Sequence, residues 1–269
     1  LYGGGLWKSI YAEGNLYLAL HNANKIIGWS GVGAASGKLD TSSVSAYQKT
    51  SKPDITIGDK GGVIHNPIPV TDGSHLVVLD DLGQSIYVYK NIPTSSGAKP
   101  DYTYTTQYEI GDAALHSYTE SGVSKTAFIM TSRTHNVIYI WKDYKFDGAM
   151  PDTVLGCRIG SQYFQGEMEY IEFDGSYTYI STCVAGEHTV LIYRGIPSKE
   201  SEPVGYIKGI DSTTDISSNG TNISVINRND ENDVKLWIFA TSALAAATAG
   251  SPVTFNGTNE KTGDSVNIG

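Results

Sequence analysis

The stretch SIYVYKNIPTSSGAKPD, residues 85–101, decides the fold. It reads as an alternating strand ending in an aromatic, an Ile-Pro corner, a polar turn, and a second Pro that opens another strand. A variant, VLIYRGIPSKESEPV, stands at 190–204. Working outward from these two, five aromatic-ended strands emerge: KIIGW (25–29), SIYVY (85–89), VIYIW (137–141), TVLIY (189–193) and KLWIF (235–239). Each is followed by a Pro-led segment closing on Gly, opened by Pro53, Pro100, Pro151, Pro203 and Pro252 at spacings of 47, 51, 52 and 49 residues. A near-constant period of this length marks a repeat architecture. Pro suits the outermost strand of a sheet, where one side asks for no ladder N–H.

Two further strands fill the front of each unit, joined by turns at Gly14, Gly73, Gly122, Gly175 and Gly220. Asp-Gly and Asn-Gly are strong hairpin signals because the turn needs positive φ. The strands after these turns are NLYLAL, HLVVLD, TAFIMT, YTYIST and NISVIN. Helical periodicity is absent. A four-stranded antiparallel unit of this size cannot bury both faces alone, and radial stacking of such units gives an all-β fold, the β-propeller. One domain spanning 1–269 is expected, with repeats at 6–62, 63–112, 113–162, 163–213 and 214–258 and a tail at 259–269. The tail reads as a loose end, a strand closing the ring, or a strand for a neighbouring subunit's edge.

The phrase with its aromatic strand end, its "IP" and its Pro-Asp strand resembles the bacterial and archaeal NHL-type propeller repeats. The resemblance spans essentially the whole chain and is tightest in the second and fourth repeats. It implies architecture rather than activity. Such propellers commonly have six blades; five repeats are visible here, and six stays open for a truncated chain.

The balance of 28 acidic against 19 basic residues, a net charge of -9, argues against a nucleic-acid partner. No apolar run approaches the ~20 residues of a membrane span. The polar, Tyr-rich composition points to a secreted, extracellular or cell-surface protein whose partner is a protein, a glycan or another copy of itself. Sequons at Asn219, Asn222 and Asn256 make it a candidate glycoprotein. Cys157 and Cys183 are the only cysteines, and either one bridge or two free thiols fits; strands at different radii make the bridge doubtful.

Loops between second and third strands are polar and unlike one another: HNAN, DDLGQS, TSRTHN, TCVAGEH and NRNDEND. Binding concentrates in such loops. In the last of them Asn227, Asn229, Asp230 and Asp233 offer oxygen ligands to Ca²⁺, without the EF-hand pattern; a solvated acidic loop is the other reading. On the innermost strands His65, His116 and Glu167 (or Glu169) are candidate ligands for an axial Zn²⁺ or Ca²⁺, against a default of solvated channel polars. G-x-S-x-G, H-E-x-x-H and zinc-spaced Cys pairs are missing, and GVGAASGKL (31–39) has the wrong spacing for a phosphate loop. The expected function is a non-catalytic extracellular scaffold presenting variable loops, self-associating through its terminal strands. The alternative is a metal-dependent hydrolase or lyase at the channel mouth.

Overall fold

A computed structural model describes residues 6–20, 24–30, 53–58, 64–80, 84–106, 110–132, 136–156, 158–159, 162–163, 167–184, 187–210, 213–230, 233–257 and 264–267. Five four-stranded antiparallel sheets, the blades, follow one another along the chain. Blade 1 holds β1 (Leu6–Ala12), β2 (Asn15–Leu20), β3 (Lys25–Trp29) and β4 (Ile55–Ile57). Blade 2 holds β5 (Pro67–Thr71), β6 (Leu76–Asp80), β7 (Ser85–Tyr89) and β8 (Tyr102–Thr105). Blade 3 holds β9 (Ala113–Glu120), β10 (Val123–Ser132), β11 (Val137–Trp141) and β12 (Thr153–Gly156), followed by a small ribbon of β13 (Arg158–Ile159) and β14 (Gln162–Tyr163). Blade 4 holds β15 (Glu167–Phe173), β16 (Tyr177–Val184), β17 (Glu187–Arg194) and β18 (Gly205–Lys208). Blade 5 begins with β19 (Thr213–Ser218), β20 (Asn222–Asp230) and β21 (Asp233–Ala240); β22 (Val253–Asn256) and β23 (Asp264–Asn267) follow. The chain divides into two compact units, 1–108 with 146–148, and 109–145 with 149–269.

Local chemistry explains the repeated wording. In the β1–β2 turn Glu13 and Gly14 have φ of 51° and 79°, and in the β9–β10 turn Ser121 and Gly122 have 52° and 78°. Two consecutive left-handed residues are what a tight hairpin with the right twist requires. The Pro-Asp pair is a corner staple. Asp54, Asp101 and Asp152 accept the backbone amides of Ser30, Lys90 and Lys142 at 3.0, 2.8 and 2.7 Å, each the first residue past its third strand. The carboxylate thus caps the amide that the ladder leaves behind as the strand ends. The hydrogen bond from the Ser30 hydroxyl also holds the Asp54 carboxyl below its ordinary pKa.

The fifth repeat departs from the sequence expectation. PVTFNG was read as the outer strand of blade 5, yet β22 adds in parallel to β18 of blade 4 as a fifth strand, in register from Gly205↔Val253 to Lys208↔Asn256. The outer strand of blade 5 is β23, from the stretch read as a tail, paired with β21 from Lys235↔Asn267 to Ile238↔Asp264. The cause lies in the corner: residues 241–252 form a 3₁₀ turn at Thr241–Leu244 and carry the chain back onto the preceding blade. Arg194 holds that turn, donating to the carbonyls of Leu244 and Ala247 at 3.0 Å each.

Neighbouring blades bury their faces against each other. Between blades 1 and 2 lie Tyr17, Ile26, Ile57, Leu76, Val78 and Tyr89. Ile129, Ile138, Leu155, Phe173, Ile180 and Leu191 pack between blades 3 and 4. Tyr179, Val190, Ile207, Val225, Phe239 and Phe255 pack between blades 4 and 5. Full burial of one such large side chain contributes about 2–3 kcal/mol. Gly28 on β3 shows how tight this is: a Cβ there would meet the Tyr17 ring at 2.9 Å. Among the described residues no helix is long and apolar enough to cross a membrane.

Candidate functional site

Buried polar atoms normally find partners, so exceptions point to function. Among the described residues five such atoms have none: His65 Nδ1, Asn136 Oδ1, Ser181 Oγ, Thr182 Oγ1 and His188 Nδ1. All five sit at one kind of place, the end of a blade where the second strand passes to the third. Asn136 immediately precedes β11, Ser181 and Thr182 lie near the end of β16, and His188 begins β17. His65 precedes β5, its Nδ1 at 3.5 Å from Asp80 Oδ2 at the end of β6 without a hydrogen bond.

Blade 4 gathers three of the five. The ladder between β15 and β16 slips between Met168 and Ile171, so Glu169 and Tyr170 bulge out. A bulge re-aims side chains and frees backbone groups. The freed amide of Ile171 donates to Asp112 Oδ2 at 3.2 Å. Glu169 Oε2 stands 3.9 Å from His188 Nδ1, their side chains 25% and 19% exposed. His188 pairs with Cys183, and Ser181 with Val190. Strand alternation therefore sets Ser181, Cys183 and His188 on one side of the sheet and Thr182 on the other. Glu169 and His188 thus face each other at this end of blade 4, with the buried Ser181 hydroxyl on the His188 side of the sheet and the buried Thr182 hydroxyl on the other. This end offers donors and acceptors for a polar ligand.

The residues singled out from sequence are dispersed. His116 sits on β9 opposite Ala127, its ring edge-on to Phe173 at 5.7 Å and beside Gly175 in the β15–β16 turn. Glu167 begins β15 opposite Cys183, at the other end of that strand, and its side chain lies outside the described residues. His116 is therefore not brought to the Glu167 end of blade 4. Among the described residues no group of three His, Cys, Asp or Glu side chains could hold a metal ion.

NRNDEND, read as a loop, is largely ladder. Asn227, Asn229 and Asp230 belong to β20 and Asp233 opens β21, with Asn227↔Lys235 and Asp230↔Asp233 paired. Their side chains lie outside the described residues. Asn219 is exposed in a turn where its Oδ1 accepts the amides of Thr221 and Asn222 at 3.0 and 2.8 Å. Asn222 opens β20, and Asn256 ends β22 opposite Lys208; both are half-buried. Cys183 is half-buried on β16, and Cys157 lies outside the described residues.

Sequence reasoning took Glu169 only as the alternative to Glu167 and Thr182 only as the start of a loop, and it passed over Ser181. A signal existed. Aligned on the residues paired with the aromatic ends Trp29, Tyr89, Trp141, Tyr193 and Phe239, the fourth residue further along each second strand is Leu20, Asp80, Ser132, Thr182 or Asn227. Asp80, Ser132 and Thr182 are buried, which apolar alternation does not anticipate.

No protein-family model matches this chain, and no curated protein matches it. Solved structures do. A candidate 6-phosphogluconolactonase of Bacteroides uniformis is similar with a TM-score of 0.56 at 12% identity, over 92% of this chain and 70% of that one. A glutaminyl cyclase of Myxococcus xanthus is similar at 0.51 and 11% identity, over 84% of this chain and 86% of that one. The Dos1 propeller is similar at 0.51 and 10% identity, over 93% of this chain and 57% of that one. At such identities the likeness speaks for architecture alone. The five sheets are the blades of a β-propeller.

Proposed function

We propose that this protein is a non-catalytic, extracellular binding propeller that takes a neutral glycan at the second-to-third-strand end of blade 4. The observation that carries the reading is the set of buried, unpartnered polar atoms there: Ser181 Oγ, Thr182 Oγ1 and His188 Nδ1. A fold that needed only stability would replace them with apolar groups. Glu169 and His188 suit sugar hydroxyls, which both donate and accept. A net charge of -9 disfavours polyanions. The aromatic, Ile-Pro and Pro-Asp phrasing supports placing the chain near NHL-type propellers. The reading as a metal-dependent hydrolase or lyase through His65, His116 and Glu167 is weaker, because His116 of blade 3 lies beside the hairpin end of blade 4 and Glu167 begins at the other end.

The test is calorimetric titration of a panel of neutral oligosaccharides against the wild type and Glu169→Gln. At least one sugar is expected to bind, and at least tenfold more weakly to the variant. Silence across the panel, or equal binding by the variant, overturns the reading.

A further inference from the structure

Three outer strands of this fold show how their edges are treated, and among the described residues one is left open. An exposed strand edge carries unpaired N–H and C=O groups and is a template for another strand. The edge of β4 is covered by the blade 2 corner. Gly97 N donates to Thr56 O at 3.0 Å, Thr56 N donates to Ser96 Oγ at 2.9 Å, and Ala98 packs on the core below. The edge of β18 is covered by β22, which adds in parallel and sinks Phe255 to 5% exposure, its ring 5.4 Å from that of Phe239.

β12 is the third case. The blade 4 corner would have to cover it, but that corner folds on itself: Ser201 N donates to Ser198 O at 3.0 Å and Ser198 N to Ser201 Oγ at 2.9 Å. Among the described residues no backbone hydrogen bond joins the corner to β12. What remains is a cleft of about 380 Å³ lined by Ile138, Leu155, Tyr193, Pro197, Lys199 and Glu200. Val154 beside it is 44% exposed.

The three edges correspond position by position. Ile57 pairs with Ile26, Leu155 with Ile138, and Ile207 with Val190. Tyr89, Tyr193 and Phe239 are the aromatic strand ends of the following blades. At the first edge Ile92 and Ala98 fill the space, and at the last Phe255 and Leu244 do; at β12 the corner supplies Ile196, the counterpart of Ile92, but Lys199 and Glu200 line the cleft beyond it.

We propose that the outer edge of β12 is a docking site for an extended peptide segment of a partner protein. The segment adds as a strand and seats one aromatic or large aliphatic side chain between Leu155 and Tyr193. Strand addition supplies affinity through main-chain bonds, and the pocket for alternate side chains supplies selectivity. Flanking residues meet Lys199 and Glu200, which favours polar neighbours of mixed character. A second copy of this chain is a poorer occupant, since its own matching segment, β22, is already held by β18.

The probe is a fluorescein-labelled peptide of residues 251–257, SPVTFNG, with a second version carrying Ala in place of its Phe. Fluorescence polarisation against the wild type is expected to show binding, weakened at least tenfold in the Ala version. Two protein variants are expected to lose at least tenfold. One has residues 197–203 replaced by the sequence of 93–100, a corner that covers its edge; the other is Lys199→Trp, which crowds the cleft that this residue lines. Absence of binding by the wild type overturns the proposal. So does binding that both variants retain, which would mean exchange with β22 on blade 4. A wild-type dimer in sedimentation that Lys199→Trp dissolves would also overturn it, in favour of a second copy.

Discussion

The two ends of blade 4 carry similar polar residues and treat them in opposite ways. At the hairpin end Asp174 is saturated. It accepts the amides of Ser176 and Tyr177 at 2.9 and 2.8 Å, the Tyr179 hydroxyl at 2.8 Å and the Ser218 hydroxyl of blade 5 at 2.6 Å. Burial, first, and the neighbouring carboxylate push the Tyr179 hydroxyl's pKa up, so it keeps the proton it donates. At the other end Ser181, Thr182 and His188 each leave a buried polar atom unpaired. The first arrangement ties two blades together. The second costs stability, and that cost, confined to one end of the blade, is what the proposed function rests on.

This contrast makes opposite demands on substitutions. The largest effect is expected at the saturated end. Asp174→Ala removes four accepted hydrogen bonds, strands two hydroxyls, and should cost about 3 kcal/mol in urea unfolding. At the open end the sign reverses. Thr182→Val and Ser181→Ala each delete an unpaired hydroxyl in a fully buried position and should raise stability by about 1 kcal/mol. A loss there would mean that the hydroxyls serve the fold.

The smallest effect is in acid. The blade 2 hairpin repeats the saturated pattern with Asp72, which accepts the amides of Ser74 and His75 at 3.0 and 2.8 Å. Burial opposes ionisation there, but these bonds and the His75 ring bring the carboxyl below its ordinary 3.8. A depressed folded pKa contributes stability above the unfolded value and loses it as pH falls through the folded one. Urea midpoints at about pH 5 and about pH 2.5 should therefore fall further in the wild type than in Asp72→Asn, which does not titrate.

What could be read from sequence follows the same division. Turn glycines and the Pro-Asp corners impose local geometry, so Gly14, Gly122, Pro100 and Asp101 announce the blades directly. PVTFNG misled because a strand's identity is local but its partner is not. A corner of residues 241–252 carries it to β18, and spacing alone gives no hint of that reach. The proposed binding face was legible only as a set of loops. Its chemistry rests on Glu169, placed by a bulge, and on Ser181 and Thr182, which sit inside a strand whose alternation says "core". Neither a register slip nor an orphaned hydroxyl leaves a mark on periodicity.

The central claim is that blade 4 keeps polar groups unpaired for a ligand rather than for the fold. His188→Phe tests it most directly, because a flat aromatic ring is kept while the unpartnered Nδ1 is removed. Stability and affinity for the oligosaccharide identified with the wild type are measured on the same preparation. The account expects unfolding free energy raised by about 1 kcal/mol together with affinity reduced at least tenfold. A variant that binds the sugar as tightly as the wild type would contradict it.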